Sequence, residues 1–259
     1  MMGRELSYRD YVTDDAHMEN YRSYQERYAQ QVRESDKQLI EMVRTRLTEP
    51  LVHRRPLTLL DLGCSTGNFL LHLKRAGLGL ELCGGDIVSK VITACRNNPE
   101  LAGIQFAEMD MLTLPDEPRF DIVVTNASLM FFNEDEFSRA LRNIAKVTVE
   151  DGWFFAFDYF HPFEQEVAIV ERSVLHPHGL KFHFRGYRTV TKDLLAVGFQ
   201  APTFRPFRIP IDLRRPDDPT DINTYTIPLR AGDRLPFRGT LFQPWCFLAS
   251  QKVSDVKQQ

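Results

Sequence analysis

No run of apolar residues in this chain approaches the ~18–20 that a membrane-crossing helix needs, which excludes a helical membrane span. No G-x-G-x-x-G follows a strand-like segment, which speaks against a dinucleotide site of the nicotinamide type. A surplus of positive charge is also missing: 32 Lys and Arg stand against 35 Asp and Glu. That balance speaks against a nucleic-acid partner held by a broad basic surface, although a local basic patch stays compatible with it. Cysteine is scarce. Cys64, Cys83, Cys95 and Cys246 form no C-x-x-C pair, so neither a disulfide framework nor a thiolate zinc site is expected. Reduced thiols in a cytoplasmic protein are expected instead. Residues 1–15 mix Arg, Glu, Tyr and Asp with no apolar stretch, so no signal peptide is read there. Internal repeats and low-complexity tracts are absent.

What is present is an alternation of short apolar runs with amphipathic segments from residue 57 onward. Strands are expected at 57–62, 80–86, 104–108, 120–126 and 153–159, and helices at 67–75, 88–97 and 134–149. That order predicts an α/β fold, a doubly wound and mostly parallel sheet with right-handed crossovers. A last helix at 191–197 and two final strands within 199–209 and 239–251 complete it. Two segments depart from the alternation: 160–188 reads as irregular, and 210–238 is rich in Pro, Asp and Arg and too long for a simple hairpin loop. The division expected is a helical lid or cap over 1–56 and a catalytic domain over 57–259, with 160–188 and 210–238 as substrate-side insertions.

The sharpest local signal is Leu59-Leu60-Asp61-Leu62-Gly63-Cys64-Ser65-Thr66-Gly67-Asn68-Phe69. A buried strand runs into a tight turn and then a helix, at the end of the sheet where open α/β folds bind ligands. Asp61, Gly63 and Gly67 match the D/E-x-G-x-G-x-G motif of S-adenosylmethionine (SAM) dependent methyltransferases, with Ser65 in place of the middle glycine. Further pieces follow in the family's order. They are Gly84-Gly85-Asp86-Ile87, Glu108-Met109-Asp110-Met111, the run 120–128 ending Asn126-Ala127-Ser128, and Asp151-Gly152-Trp153. The chain therefore resembles the class I, Rossmann-like SAM-dependent methyltransferases over roughly residues 57–160.

The resemblance implies a seven-stranded sheet whose last strand is antiparallel, with SAM as cofactor. It implies that Asp61, Gly63, Cys64, Ser65, Gly67 and Asn68 form the turn around the cofactor. Asp86 would take the ribose hydroxyls, with Ile87 beside it, and Asp110 and Met111 would take adenine. Asn126 would line the aminoacyl end. Tyr21, Tyr24, Arg27 and Tyr28 share one helical face, and in many relatives such an N-terminal helix covers the cofactor, so Tyr21 and Arg27 join the expected cofactor set. The fourth strand lacks the Asp/Asn-Pro-Pro-Tyr of enzymes that methylate exocyclic amino groups of nucleic-acid bases.

Asp158, Tyr159 and His161 end the fifth strand and are the candidates for proton transfer; of these side-chain types imidazole is the usual proton carrier near neutral pH. His176, His178 and His183 have no acidic or Cys neighbour to complete a metal set. With Lys181, Arg185 and Arg188 they are expected to form a basic wall, and no metal is expected. Arginines in and beside 210–238 point to a small acceptor such as an anionic or carrier-linked metabolite or sugar. A protein or RNA methyltransferase, and a SAM-binding protein without catalysis, remain as alternatives.

Overall fold

A computed structural model describes residues 8–12, 25–47, 55–174, 176 and 179–254. The first strand, β1 (Thr58–Leu62), pairs in parallel with β2 (Glu81–Asp86) on one side and β4 (Phe120–Asn126) on the other. Beyond β2 lies β3 (Gln105–Glu108), and beyond β4 lies β5 (Thr148–His161), both parallel. Across β5, β12 (Trp245–Gln251) runs antiparallel, and β8 (Thr203–Pro206) forms the edge beyond it. The order β3-β2-β1-β4-β5-β12-β8 has its topological switch between β1 and β4. In open α/β sheets, ligands bind beyond the strand ends at such a switch.

Alternation along the strands sends successive side chains to opposite faces. Leu59, Val124, Phe155 and Phe247 pack under α2 (Glu34–Leu47), α3 (Asn68–Arg75) and α4 (Ser89–Asn97). Leu60, Val123, Phe154 and Leu248 pack under α5 (Glu134–Val147) and α6 (Tyr187–Ala196). The start of α5 is fixed locally. The Asn133 side chain accepts from the Glu136 N–H while the Glu136 carboxylate accepts from the Asn133 N–H, so two otherwise orphaned donors are satisfied. Its apolar stripe, Phe137, Ala140, Leu141 and Ile144, then meets the sheet. A short N-terminal helix, α1 (Tyr8–Val12), lies against the same side.

The structure differs from the sequence expectation in five places. The Asp151-Gly152 turn is a kink inside one continuous strand, with Asp151 at φ 60° and a register shift against β4. The 160–188 segment is not irregular: β6 (Val167–Glu171) and β7 (Leu180–Gly186) form a hairpin, and β7 pairs with the end of β5. Its signal was the period-two series Leu180, Phe182, Phe184, masked by the intervening Lys, His and Arg. The 210–238 segment carries β9 (Thr224–Pro228) and β10 (Arg234–Arg238), which with β11 (Leu241–Phe242) make a separate three-stranded sheet. The helix expected at 191–197 starts earlier, at Tyr187. Finally, the helical lid expected over 1–56 is not one continuous helix among the described residues: the chain turns at 27–30 before α2 begins. Among the described residues no helix is long and apolar enough to cross a membrane.

β2 carries Gly84 where β3 approaches most closely. A Cβ there would lie 2.7 Å from the Phe106 ring and 2.8 Å from Leu70 Cδ1. Gly84→Ala is therefore expected to destabilise the protein by about 1–3 kcal/mol through overpacking. Urea unfolding should show a lower midpoint with an unchanged slope. An unshifted midpoint would show that Phe106 gives way freely.

Candidate functional site

The turn after β1 is held by main-chain groups of the neighbouring strand. The N–H groups of Gly63 and Cys64 both donate to the Gly85 carbonyl, at 2.7 and 3.0 Å. Gly63 and Gly67 adopt φ of 77° and 75°, in the left-handed region that glycine enters without penalty. Ser65 sits between them at φ 49°, an uncommon conformation for a side-chain-bearing residue. Its N–H donates to Asp86 Oδ2 at 2.9 Å, and the Val88 N–H donates to Asp86 Oδ1 at 2.9 Å. Burial raises the Asp86 carboxyl above its ordinary range, against the pull of these bonds. Asp86 thus ties the end of β2 to the glycine turn, and each oxygen keeps acceptor capacity for another donor. A Cβ on Gly63 would come within 3.1–3.2 Å of Ser128 and Met111, so a side chain at this position would crowd both.

On the α2 side, Asp61 is 1% exposed and its Oδ1 has no partner among the described residues. Ser65 Oγ, Thr66 Oγ1 and Thr125 Oγ1 are likewise buried and unpartnered. Burial first, then the carboxylates of Asp36 and Asp86, push Asp61 well above the ordinary range. Asn126 donates through Nδ2 to Asp36 Oδ1 at 3.0 Å. Asp36 is the residue that the sequence reading missed. Its signal was a carboxylate inside the apolar stripe of α2, at the register of Leu39, Ile40 and Val43. Orphaned polar atoms around a glycine cradle fit a polar ligand. The donor and acceptor set fits the aminoacyl and ribose parts of SAM.

The other expected cofactor residues are distributed as follows. Cys64 is buried, and all four cysteines are free. Asn68 donates to the Gln25 carbonyl at 2.8 Å, and His72 Nε2 lies 2.8 Å from the Tyr28 carbonyl. These contacts dock residues 25–29 onto α3. Arg27 is exposed on that segment, and Tyr21 lies outside the described residues, as does Tyr24. Ile87 packs at the edge of the core beside Met109, and Met111 is buried with its carbonyl accepting from Asn143. The Asp110 carboxylate accepts from Tyr8 Oη at 2.9 Å, from the Leu112 N–H at 2.9 Å and from Arg9. The start of α1 therefore sits at the position expected for adenine, with the Tyr8 ring edge-on to Phe132 at 4.9 Å.

At the end of β5 the three proton-transfer candidates separate. Asp158 is buried, and its oxygens accept from the Leu129 and Tyr159 N–H groups, both at 2.8 Å. Across the same turn, Arg185 donates to the carbonyls of Leu129, Phe132 and Asn133 and lies 4.0 Å over the Phe137 ring. The pair brackets the chain just after β4. Arg185 is thus buried under the turn and does not join the basic wall expected from the sequence, while exposed Arg188 pairs with Glu164 at 2.9 Å. His178 lies outside the described residues. Tyr159 is buried in an aromatic cluster, 4.7 Å from Phe184, 5.9 Å from Phe182 and 4.2 Å from Trp245. Its hydroxyl accepts from Gln243 Nε2 at 2.7 Å. His161 is 7% exposed, and neither ring nitrogen has a partner among the described residues. It lies four residues beyond Phe157, the register partner of Asn126, or about 13 Å along the strand.

The chain resembles known proteins in sequence and in fold. Residues 59–152 match the methyltransferase domain family. The chain is 27% identical over 132 residues to demethylmenaquinone methyltransferase of Thermus thermophilus, a match over 50% of this chain and 59% of that protein. Among solved structures, 1,6-didemethyltoxoflavin-N1-methyltransferase of Burkholderia thailandensis is similar with a TM-score of 0.57 at 14% identity, over 98% of this chain and 94% of that one. Magnesium protoporphyrin IX methyltransferase of Synechocystis PCC 6803 is similar with a TM-score of 0.55 at 14% identity, over 94% of each chain. At such identities these two likenesses concern the fold.

Burial pushes Asp158 up to about 6, against the opposing pull of the Tyr159 N–H and Arg185. The native state therefore holds a proton between about pH 4 and pH 6 that the unfolded chain releases, so this group's contribution to stability falls as pH rises through that window. Buried Asp36, Asp61 and Asp86 are shifted with the same sign. Asp158→Asn should therefore make the decline in unfolding free energy between pH 4 and pH 7 shallower without abolishing it. Parallel wild-type and variant curves in urea titrations would remove Asp158 from that account.

Proposed function

We propose, from the premise that this chain carries a methyltransferase domain of the class I, Rossmann-like, SAM-dependent family, that the protein transfers a methyl group from SAM to a small-molecule acceptor. The observation that carries the reading is the glycine turn, with Asp86 and the unpartnered Asp61 beside it, at the switch point of the sheet. SAM supplies an activated methyl on a sulfonium, which an acceptor nucleophile takes by in-line displacement as the carbon–sulfur electron pair goes to sulfur. The protein's own part is alignment and, where the acceptor is a hydroxyl, removal of a proton.

Asp86 receives the ribose hydroxyls on the acceptor capacity left by Ser65 and Val88. Asp110 and the Met111 main chain receive adenine, with Ile87 against the ring. Residues 1–56 act as a cap, a reading supported by the docking of 25–29 on α3 and of Tyr8 on Asp110. Adenine binding at Asp110 then requires Tyr8 and Arg9 to yield or share that carboxylate. The buried free thiols support a reducing compartment, the cytoplasm.

The acceptor meets the protein beyond the ends of β4 and β5, beside a cluster in which Met130, Tyr159, Phe182 and Phe184 are buried, with Ala127, Phe131 and Trp245 packed against it. Several arginines first read as anion receptors have partners within the chain. Arg238 pairs with Glu171, Arg234 with Asp212, and Arg205 and Arg215 lie over the Phe247 and Tyr225 rings. That distribution favours a planar, largely apolar acceptor over an anionic or carrier-linked one. The acceptor in the name of the Thermus thermophilus relative, demethylmenaquinone, agrees with this chemistry.

S-adenosylhomocysteine (SAH) should bind with a dissociation constant in the micromolar range, roughly −8 kcal/mol, and NAD negligibly. Asp86→Asn should weaken SAH by about 2–4 kcal/mol while the fold persists, and bound SAH should slow hydrogen exchange across 25–30. Calorimetry that finds NAD binding and no SAH binding overturns the cofactor assignment. Methyl-labelled SAM offered with fractionated metabolites should label a small compound, and label found only in protein or RNA would overturn the acceptor class. His161 is the remaining proton-acceptor candidate, because Asp158 is occupied by backbone donors and burial raises the Tyr159 hydroxyl far above neutral pH. With an acceptor in hand, His161→Ala should lower kcat by roughly 10²–10⁴ if a hydroxyl is methylated. Full kcat in a folded variant would make His161 a structural residue instead.

A further inference from the structure

The small sheet β9–β10–β11 turns its apolar face away from the core. Tyr225 of β9 stands opposite Phe237 of β10, which stands opposite Phe242 of β11, and Ile227 stands opposite Leu235. Residues opposite one another in antiparallel strands share a face, so these five make one apolar face. The ring centroids of Tyr225 and Phe237 are 5.8 Å apart, and those of Phe237 and Phe242 are 5.7 Å apart. The residues between them along the strands belong to the opposite face. There Thr226 is buried and accepts from the Leu213 N–H and from Arg234. Arg238 is clasped to Glu171, Leu241 packs on the cluster around Tyr159, and Gln243 reaches the Tyr159 hydroxyl. The more polar face is therefore the one applied to the rest of the protein.

Antiparallel sheets with one solvated face ordinarily direct apolar side chains inward and polar ones to water. Here Ile227 is 43% exposed, Phe242 38%, and Leu229, just after β9, 40%. None of the five facing residues belongs to a core cluster formed by the described residues. A contiguous exposed apolar patch marks an interaction surface. Its border carries both signs of charge. Arg215 lies over the Tyr225 ring at 5.9 Å, Asp217 and Asp218 are exposed close by in the chain, and the β9–β10 turn exposes both Arg230 and Asp233. An aromatic, apolar centre inside a polar rim is the anatomy of a protein interface. The mixed rim selects the partner. Acids among the arginines oppose an anionic lipid surface or a nucleic-acid backbone, whereas a two-fold rotation can set arginines of one copy against aspartates of the other. We propose that this face is where two copies of the chain meet in solution. Strands β9 and β10 have five residues each, about 16 Å of length, so the patch is smaller than the ~800 Å² per partner of stable complexes and the dimer forms only with rising concentration. The inference goes beyond the methyltransferase reading and does not depend on it. The second copy would brace the sheet whose inner face holds Arg238 on Glu171 and Gln243 on Tyr159.

Sedimentation velocity on the full chain, run from about 1 to 100 µM to bracket a micromolar dissociation constant, should show the average mass rising from that of one chain toward twice that value. Phe242→Glu and, separately, Ile227→Glu place a charge in the centre of the face and should each weaken the dimer by about 10- to 100-fold. Both side chains are exposed, so circular dichroism and the urea midpoint should stay at their wild-type values. Hydrogen exchange in β9 and β10 of the wild-type protein should slow as concentration rises. A wild-type chain that stays monomeric across the range overturns the inference, and so does a dimer that both folded variants form as readily as wild type. Should neither variant fold, exchange in the wild type decides, and a dimer that leaves β9 and β10 unprotected places the contact elsewhere. Monomeric protein that instead binds vesicles of phosphatidylglycerol and phosphatidylcholine, and loses that binding in Phe242→Glu, would assign the face to a lipid surface and overturn the dimer.

Discussion

One carbonyl and one carboxylate at the end of β2 hold the site together. The Gly85 carbonyl accepts the N–H groups of both Gly63 and Cys64, and the Asp86 carboxylate accepts those of Ser65 and Val88. These four bonds fix the direction in which the chain leaves β1, and hence where α3 starts and which face it covers. They also keep Ser65 in a left-handed conformation that it would not hold alone. Gly84 and Gly85 let β3 and Met109 come close behind them. The strained turn and the close strands are consequences of the same anchoring.

That arrangement carries a concentration of buried negative charge. Asp36, Asp61 and Asp86 come from three elements and meet around the strand ends, each with its carboxyl pushed up by burial. A fold selected for stability alone would place apolar residues at such positions, because desolvating a carboxylate opposes folding. Perturbed, incompletely paired acids gathered at a switch point fit the binding role proposed for this end of the sheet.

The region beyond the sheet is organised by the length of β5. Its last residues run past the sheet and give β7 a partner at Phe160 and His161. The β6–β7 hairpin and the small β9–β11 sheet are then clasped by the bidentate Arg238–Glu171 pair and by Gln243 on Tyr159. Two insertions distant in sequence thereby close over one aromatic cluster. Below it, Asp158 and Arg185 fix the turn that follows β4 from opposite ends.

The alternation of apolar runs, the Gly63–Gly67 spacing and the acids closing the second and third strands made the sheet and the cofactor end legible, because each depends on residues close in sequence. The capping box at Asn133 and the stripe of α5 are local in the same way. What the sequence left open depends on partners far along the chain. Asp158 reads as a free acid until the Leu129 and Tyr159 N–H groups are found on its oxygens, and Arg185 reads as part of a basic wall until the turn at 129–133 closes around it. Asp36 reads as one polar residue in a helix until register brings Asp61 and Asn126 to it across 25 and 90 positions. Secondary structure and the glycine turn follow from local conformational preference and periodicity. Which buried charges face one another is decided only when the strands pair and the helices settle on them.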